Sequence, residues 1–297
     1  MNDRGLALVT AMLAVAMLTL IVVEMTDATL INTHFTHNAG NAVAAELLAR
    51  SAEVAGEALL IEDQQQSSNV TSRDGLWAIP IVGFPAGPGT VGLVIEDEQG
   101  KLSLNVPPGK EEWLHALFTN LGLDPSLVDA VVAWQAPLGV AAGQQSDYCL
   151  LAVPCEPRHL PLVSVDELLM IRGFDRATVH ALRPYVTAYP DPSARANQLV
   201  NINTADPRVL EAVGCKPPGN FQAPAGGFKA GDPELGKICP GTNVTTHSDY
   251  FTIVATGSVG DTTQSVRAVV KRSGSVVKPI AWRPNPFADL TTESEGP

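Results

Sequence analysis

The chain has 297 residues, is 45% hydrophobic and carries a formal net charge of −12. The hydrophobic content excludes a disordered chain, and the acidic balance excludes a nucleic-acid binder held by general attraction, because phosphate binding needs clustered Lys and Arg. An acidic extracytoplasmic surface fits the charge, and the length allows one large domain or two smaller ones.

Met1-Asn2-Asp3-Arg4-Gly5 precedes an apolar run from Leu6 to Val23, 18 residues without a charge. That is close to a membrane span. Arg4 and the amino terminus are positive, so the positive-inside rule leaves the N-terminus in the cytoplasm and exports the rest. An ordinary secretory signal has a longer basic region and a small-residue cleavage site after its apolar core. Here a Gly stands directly before the core. Arg4-Gly5-Leu6-Ala7-Leu8-Val9 resembles the type IV prepilin class. The resemblance implies cleavage between Gly5 and Leu6 by a prepilin peptidase, with the apolar segment kept as an anchor. Glycine suits a scissile bond that must approach the enzyme closely. Most of that class carries Glu at the fifth mature position, where this chain has Thr10. A plain signal anchor is the alternative reading.

After Val23 no proline occurs until Pro80, and Glu24 to Asp63 is rich in Ala, Leu and Glu. Ala44, Leu48, Ala52, Ala55 and Leu59 recur at helical spacing and predict the packed face. Gly40 and Gly56 each weaken such a helix by about 1 kcal/mol. A helix from Leu6 to Asp63 would be on the order of 87 Å long. His34 and His37, three apart, read as polar residues of the helix face rather than a metal pair.

A polar loop, Gln64 to Asn69, leads to two predicted strands, Trp77 to Val82 and Thr90 to Ile95. In Ile95-Glu96-Asp97-Glu98-Gln99-Gly100-Lys101-Leu102-Ser103-Leu104-Asn105, residues 97–100 read as a tight, solvated hairpin turn. Leu102 and Leu104 alternate with Ser103 and Asn105, as in a half-buried strand. From Glu111 the pattern is helical: Trp113, Leu114, Leu117 and Leu121 form one stripe, and Leu127, Val128, Val131 and Val132 another. Two short helices follow, Val165 to Ile171 and Arg176 to Arg183, with Ser164 and Glu167 as a capping box and Asp175 as a cap. Asn201-Ile202-Asn203-Thr204-Ala205 precedes a helix from Pro207 to Val213, closed by Gly214.

Pro217 to Gly241 is rich in Pro and Gly and reads as a loop. Strands are predicted at Tyr250 to Thr256 and Ser265 to Arg272, joined through Gly257 to Asp261. Val266, Ala268 and Val270 supply an apolar face. The four cysteines, Cys149, Cys155, Cys215 and Cys239, lack zinc or redox spacing. In an exported chain they read as two disulfides. Cys149–Cys155 with Cys215–Cys239 is the simplest of three connectivities, and buried free thiols are the alternative.

No nucleophile constellation, metalloprotease motif or Gly-rich phosphate loop occurs, so an enzyme is not expected. The segment Ile95 to Asn105, the N-x-N-T-A segment at Asn201 to Ala205 and Asp249-Tyr250-Phe251 in the closing hairpin resemble the K-type minor pseudopilins of type II secretion systems. The resemblance implies an α+β fold: a long N-terminal helix on a small antiparallel sheet, with a large helical insertion similar to helix-hairpin-helix or SAM-like domains. The expected divisions are a leader at 1–5, the membrane half of the helix at 6–23 and its periplasmic half at 24–63. Sheet segments follow at 64–107 and 249–282, with the insertion at 108–214, a tethered loop at 215–248 and a mobile tail at 283–297.

The resemblance also implies a structural subunit of the inner membrane with its body in the periplasm. It would nucleate the pseudopilus at its tip, with I- and J-type minor pseudopilins, the inner-membrane assembly platform and the prepilin peptidase as partners and no nucleic acid. The K type lacks the pilin glutamate, in keeping with Thr10. Its calcium sites lie in the insertion on a pattern rich in acids. Here Trp134-Gln135-Ala136-Pro137 and Gly143 to Tyr148 retain only Asp147, and the expectation is a disulfide staple in place of calcium. The alternatives are a minor pilin of a type IV pilus and a membrane-tethered helix-hairpin-helix DNA receptor. For the latter, Arg158, Arg172, Arg176 and Arg183 are offset by Asp166, Glu167 and Asp175.

Overall fold

The computed structural model describes residues 3–66, 69–105, 111–137, 157–190, 199–241 and 243–284. The expectations for Asp147, Cys149 and Cys155, and for the tail beyond residue 284, lie outside them.

A single helix, α1 (Asp3–Gln66), runs 64 residues without a break. At about 1.5 Å per residue it spans roughly 96 Å. Its N-terminal half carries side chains such as Leu8, Met12, Val15 and Leu20, each more than half exposed. Its C-terminal third buries Ala45, Ala49, Ala52, Gly56 and Leu60 against a sheet. The packed face is therefore rotated from the predicted one. Ala52 is common to both, Ala44, Leu48 and Leu59 flank the seam, and Ala55 points to solvent. The cause is close approach. A Cβ on Gly257 of the sheet would lie 2.2 Å from the Ala45 carbonyl oxygen and 2.6 Å from the Ala49 nitrogen. The helix backbone rests on a glycine, so the smallest residues must face it.

The sheet has five antiparallel strands in the order β1 (Ile81–Ala86), β2 (Gly89–Asp97), β7 (Tyr250–Val259), β8 (Thr262–Ser273) and β9 (Val276–Pro284). Residues Trp77 and Ala78, expected in the first strand, instead belong to a 3-10 turn, Leu76–Ala78. β7 extends through Gly257 and Ser258, and the turn to β8 is only Gly260-Asp261, with Gly260 at φ 57°. Arg283 was expected in the tail but lies in β9, opposite Arg267. The indole of Trp282 lies 4.8 Å beneath the Arg50 guanidinium of α1, which ties this strand to the helix. Phe251, Ile253, Val266, Ala268 and Val270 alternate onto the α1 side and form the first core with Leu60, Trp77 and Leu93.

β2 and β7 are neighbours in space, yet about 150 residues separate them; Glu96 pairs with Thr252 and Asp97 with Phe251. The intervening chain forms a second core. It contains α2 (Glu111–Asn120), α3 (Ser126–Gln135), α4 (Arg176–Leu182), α5 (Pro207–Ala212) and α6 (Pro233–Ile238). Two short parallel pairs add to it, β3 (Leu102–Ser103) with β4 (Val186–Thr187) and β5 (Val200–Asn201) with β6 (Val244–Thr245). Both predicted stripes pack here, with Trp113, Leu114, Leu117, Val128 and Val131 buried. The Pro/Gly-rich stretch is less of a loop than expected. It holds α6, whose cap Asp232 accepts from the Glu234 amide. Phe228 and the Cys215–Cys239 disulfide join the core. Val165–Met170 is a 3-10 helix, so the first arm of the expected helix-hairpin-helix is not an α-helix. The capping box is displaced as well: Ser164 accepts from Asp166, while Glu167 accepts from the Val163 amide.

Candidate functional site

Two features stand out: the naked half of α1, and the neck through which the insertion leaves the sheet and returns. The helix window of highest hydropathy lies near the N-terminus and has none of its residues buried, and the helix is long and apolar enough to cross a membrane. Thr19, Thr26, Thr29, Thr33 and Thr36 each return the side-chain hydroxyl to the carbonyl four residues back, at 2.7–2.8 Å. Their polar groups are thereby satisfied within the helix, as a lipid or helix-packed environment requires. Thr10 lies on the same exposed stretch. His34 and His37 are exposed, and the His37 ring meets Asn41 at 3.2 Å.

The neck is built from the motif at Ile95 to Asn105 and the N-x-N-T-A segment. Residues 97–100 are not a solvated turn. Asp97, Glu98, Gln99 and Gly100 are all buried. Leu102 to Asn105 are also buried throughout, so the expected half-exposed strand is enclosed on both sides. One carboxylate organises the first half of the neck. Asp97 Oδ1 accepts from the Gln99 amide at 2.8 Å. Its Oδ2 accepts from Thr204 Oγ1 (2.5 Å), Ser248 Oγ (2.6 Å) and Asn201 Nδ2 (3.0 Å). Burial pushes the Asp97 pKa up, and these donors only partly oppose the shift. Gly100 lets the two motifs touch: a Cβ there would fall 2.7 Å from Thr204 Oγ1.

Around this centre each polar group has a task. Gln99 Oε1 accepts from the Asp249 amide at 2.5 Å, at the start of β7. Asn105 clamps the insertion, donating to the Leu162 and Ala188 carbonyls and accepting from the Leu162 amide. Asn203 does the same for Phe228. Lys101 reaches Glu96 at 2.7 Å and Glu98 at 3.3 Å. The lysine charge holds the Glu96 carboxyl below its ordinary range despite burial. Burial alone would lower the Lys101 pKa, but Glu98 and Glu96 outweigh it and the net shift is upward. Glu98 also accepts from Thr187 of the insertion and Thr252 of the sheet.

Arg272, at the end of β8, closes the neck from the helix side. Its guanidinium pairs with Asp63 of α1 at 3.0 Å, both side chains being 5% exposed or less. It also donates to the Leu60 and Ser248 carbonyls and to Thr71 Oγ1, and it lies 4.7 Å over the Phe251 ring. Helix, sheet and both ends of the insertion thus meet on one connected set of hydrogen bonds. Sequence reading found the two motifs but not their union, nor the buried Asp63–Arg272 pair.

The acids are saturated by neutral donors or by Lys and Arg. Among the described residues no three His, Cys, Asp or Glu come together to hold a metal. In the stretch expected to echo a calcium site, Trp134 is buried and Gln135 donates its amide to the Leu104 carbonyl at 3.1 Å. The rest of that stretch, Gly143 to Tyr148 with Asp147, lies outside the described residues.

Residues 93–191 match the family described as type II secretion system protein K. The type II secretion system protein K of Aeromonas hydrophila is 26% identical over 230 residues, covering 69% of this chain and 68% of that protein. A chain in the crystal structure of the GspK–GspI–GspJ complex from the enterotoxigenic Escherichia coli type 2 secretion system superposes with a TM-score of 0.71. It is 19% identical, and the match covers 86% of this chain and 99% of that one. The fold is shared across that length.

Proposed function

We infer that this chain is a K-type minor pseudopilin of a type II secretion system, a structural subunit of the export machinery, and that it stands at the pseudopilus tip. The observation that carries the reading is the insertion of a whole second core between two adjacent strands of a sheet laid on a helix whose other half is naked and apolar. A helix of this kind can be held in a bilayer and then withdrawn into a bundle. A head this bulky cannot be repeated along a narrow filament, so it terminates one. Gly5 and Leu6 are the proposed processing site, and Thr10 stands where other pilin-like subunits carry the glutamate that meets a neighbour. With Arg4 on the cytoplasmic side, the head lies in the periplasm. By likeness to the GspK–GspI–GspJ complex, the partners are the I- and J-type subunits, together with the assembly platform.

The test is the N-terminal sequence and intact mass of membrane-purified protein from cells with and without prepilin peptidase. A mature chain starting at Leu6 only when the peptidase is present supports the reading. An uncut chain, or cleavage after Val23, removes the filament mechanism. Placement at the tip is tested separately, by disulfide crosslinking of single cysteines on exposed positions of α1, such as Val43 and Leu47, to I- and J-type subunits.

A further inference from the structure

The sheet has two faces, and α1 takes only one of them. The opposite face carries Tyr250, Thr252, Val269 and Lys271, and the insertion covers it incompletely. Between the two lies a cleft of about 780 Å³, within the size range of ligand and short-segment sites. Its charge runs against that of the molecule. Arg183 and Arg283 converge on the single carboxylate of Asp166, at 2.5 and 2.9 Å, which leaves one positive charge uncancelled. Lys271 lies 5.4 Å over the Tyr250 ring and makes no ion pair with the described residues. The acid lining the cleft, Glu98, is already engaged by Thr187, Thr252 and Lys101. Leu160 and Val163 stand at the rim with 56% and 54% of their surface exposed. In a chain of net charge −12, this is a localised cationic cleft with an apolar lip.

We propose that the cleft is a docking site for an extended acidic segment of a partner protein, with carboxylates set against Lys271 and the Arg183–Arg283 pair and an apolar side chain on Leu160 and Val163. Opposite charge across a contact steers encounter and selects partners. A nucleic acid is a poor occupant, because a phosphate chain needs a longer row of cations than this. The position matters as much as the charge: a partner here meets the head on the side away from α1, so the site stays open while the helix is packed in a bundle. The inference goes beyond the assembly role, and only its account of position rests on that role.

The test uses the full chain in detergent and fluorescence anisotropy with a labelled dodecapeptide of Glu, Leu and Tyr, against the same peptide with Lys in place of Glu. The acidic peptide should bind and the basic one should not. Lys271→Glu combined with Arg283→Glu should weaken binding by at least ~10-fold, and Lys271→Gln, which keeps most of the stem, by several-fold. Lys278→Glu, a single charge reversal outside the cleft, should leave binding unchanged. Raising salt from 50 to 200 mM should weaken binding several-fold. Equal binding of both peptides, or indifference to Lys271→Gln, overturns the proposal. A chain truncated after Pro284 tests the other source of acid, the protein's own last residues with Asp289, Glu293 and Glu295. If the peptide binds only after truncation, the cleft serves the chain's own tail and the partner is refuted.

Discussion

Arg272 and Asp63 form an ion pair in which neither member has access to bulk water. Such a pair is costly to break from one side, because the survivor keeps its desolvation penalty and loses its counter-charge. Burial already pushes the Asp63 pKa up, against the pull of Arg272. Arg272→Met should therefore lower the unfolding free energy by about 3–5 kcal/mol. The double variant with Asp63→Leu should recover a substantial part of it. Chemical denaturation of the four proteins of the cycle measures this, and a double variant no better than the single one would show that the hydrogen bonds to Thr71, Leu60 and Ser248 dominate instead. Lys101 predicts a pH dependence. Glu96 has a depressed pKa, so its contribution is present above the ordinary carboxylate range and is lost only as pH falls through the lower folded value. The raised pKa of Lys101 gives a contribution complete below the ordinary amine range and lost only in strong alkali. The stability gap between wild type and Lys101→Met should be flat from pH 5 to 9 and shrink only below about pH 4. A gap that closes between pH 7 and 5 would mean that Glu96 is not the partner that counts. These residues were half legible. Ile95 to Asn105 and Asn201 to Ala205 stand out in the sequence, but Asp97 finds Asn201, Thr204 and Ser248 at separations of 104, 107 and 151 residues. An acidic turn reads as solvated whenever the donors to its central carboxylate come from so far along the chain.

At the scale of elements, the patterns that depend on near neighbours were read well and those set by a distant surface were not. The continuous helix α1, the stripes of α2 and α3, the cap Asp175 and the alternation of β8 follow from spacing alone. The packed face of α1 was displaced because Ala and Leu occupy most positions there, leaving no apolar–polar contrast to fix the angle. What fixes it is Gly257, seen only from across the sheet. This gives two glycine substitutions of opposite sign. Gly257→Ala puts a methyl group into the backbone of α1 and should destabilise by the upper end of the roughly 1–3 kcal/mol typical of overpacking. Gly40→Ala, on an exposed turn of α1 with nothing within 4 Å of its Cβ, should stabilise by up to about 1 kcal/mol through helix propensity. Thermal melts of the two variants in the same detergent decide the matter, and a neutral Gly257→Ala would show that α1 slides on the sheet rather than being seated in it. β9 went partly unread because Pro279 and Pro284 argue against a strand; β9 is an edge strand of the sheet, where proline is tolerated.

At the scale of the molecule, two apolar cores are joined by a polar seam. One core belongs to α1 and the sheet and the other to the insertion. An apolar seam between them would have merged the two into one; a seam of hydrogen bonds keeps them distinct while fixing their orientation, because each donor in it has a direction and a required partner. Among the described residues, Arg272 and Asp97 tie α1 and the sheet to the insertion through this seam. The seam also makes the coupling fragile at one atom. Asp97 Oδ2 gathers Thr204 and Asn201 from the insertion and Ser248 from its return to the sheet. Asp97→Ala would take the acceptor from the buried Thr204 and Ser248 hydroxyls, while Asn201 Nδ2 keeps the Thr71 carbonyl and Ser248 Oγ, a loss of about 1–3 kcal/mol for each group left unsatisfied. The penalty falls on the joint and not on either core. Wild-type protein should therefore unfold in one calorimetric transition, and Asp97→Ala in two, the insertion melting at the lower temperature. Hydrogen exchange should place the newly labile amides in residues 199–205 and 244–249 while those of β7 and β8 stay protected. If Asp97→Ala instead lowers a single transition as a whole, the seam is a part of one common core, and the insertion is not a separately held head but an extension of the sheet that bears it.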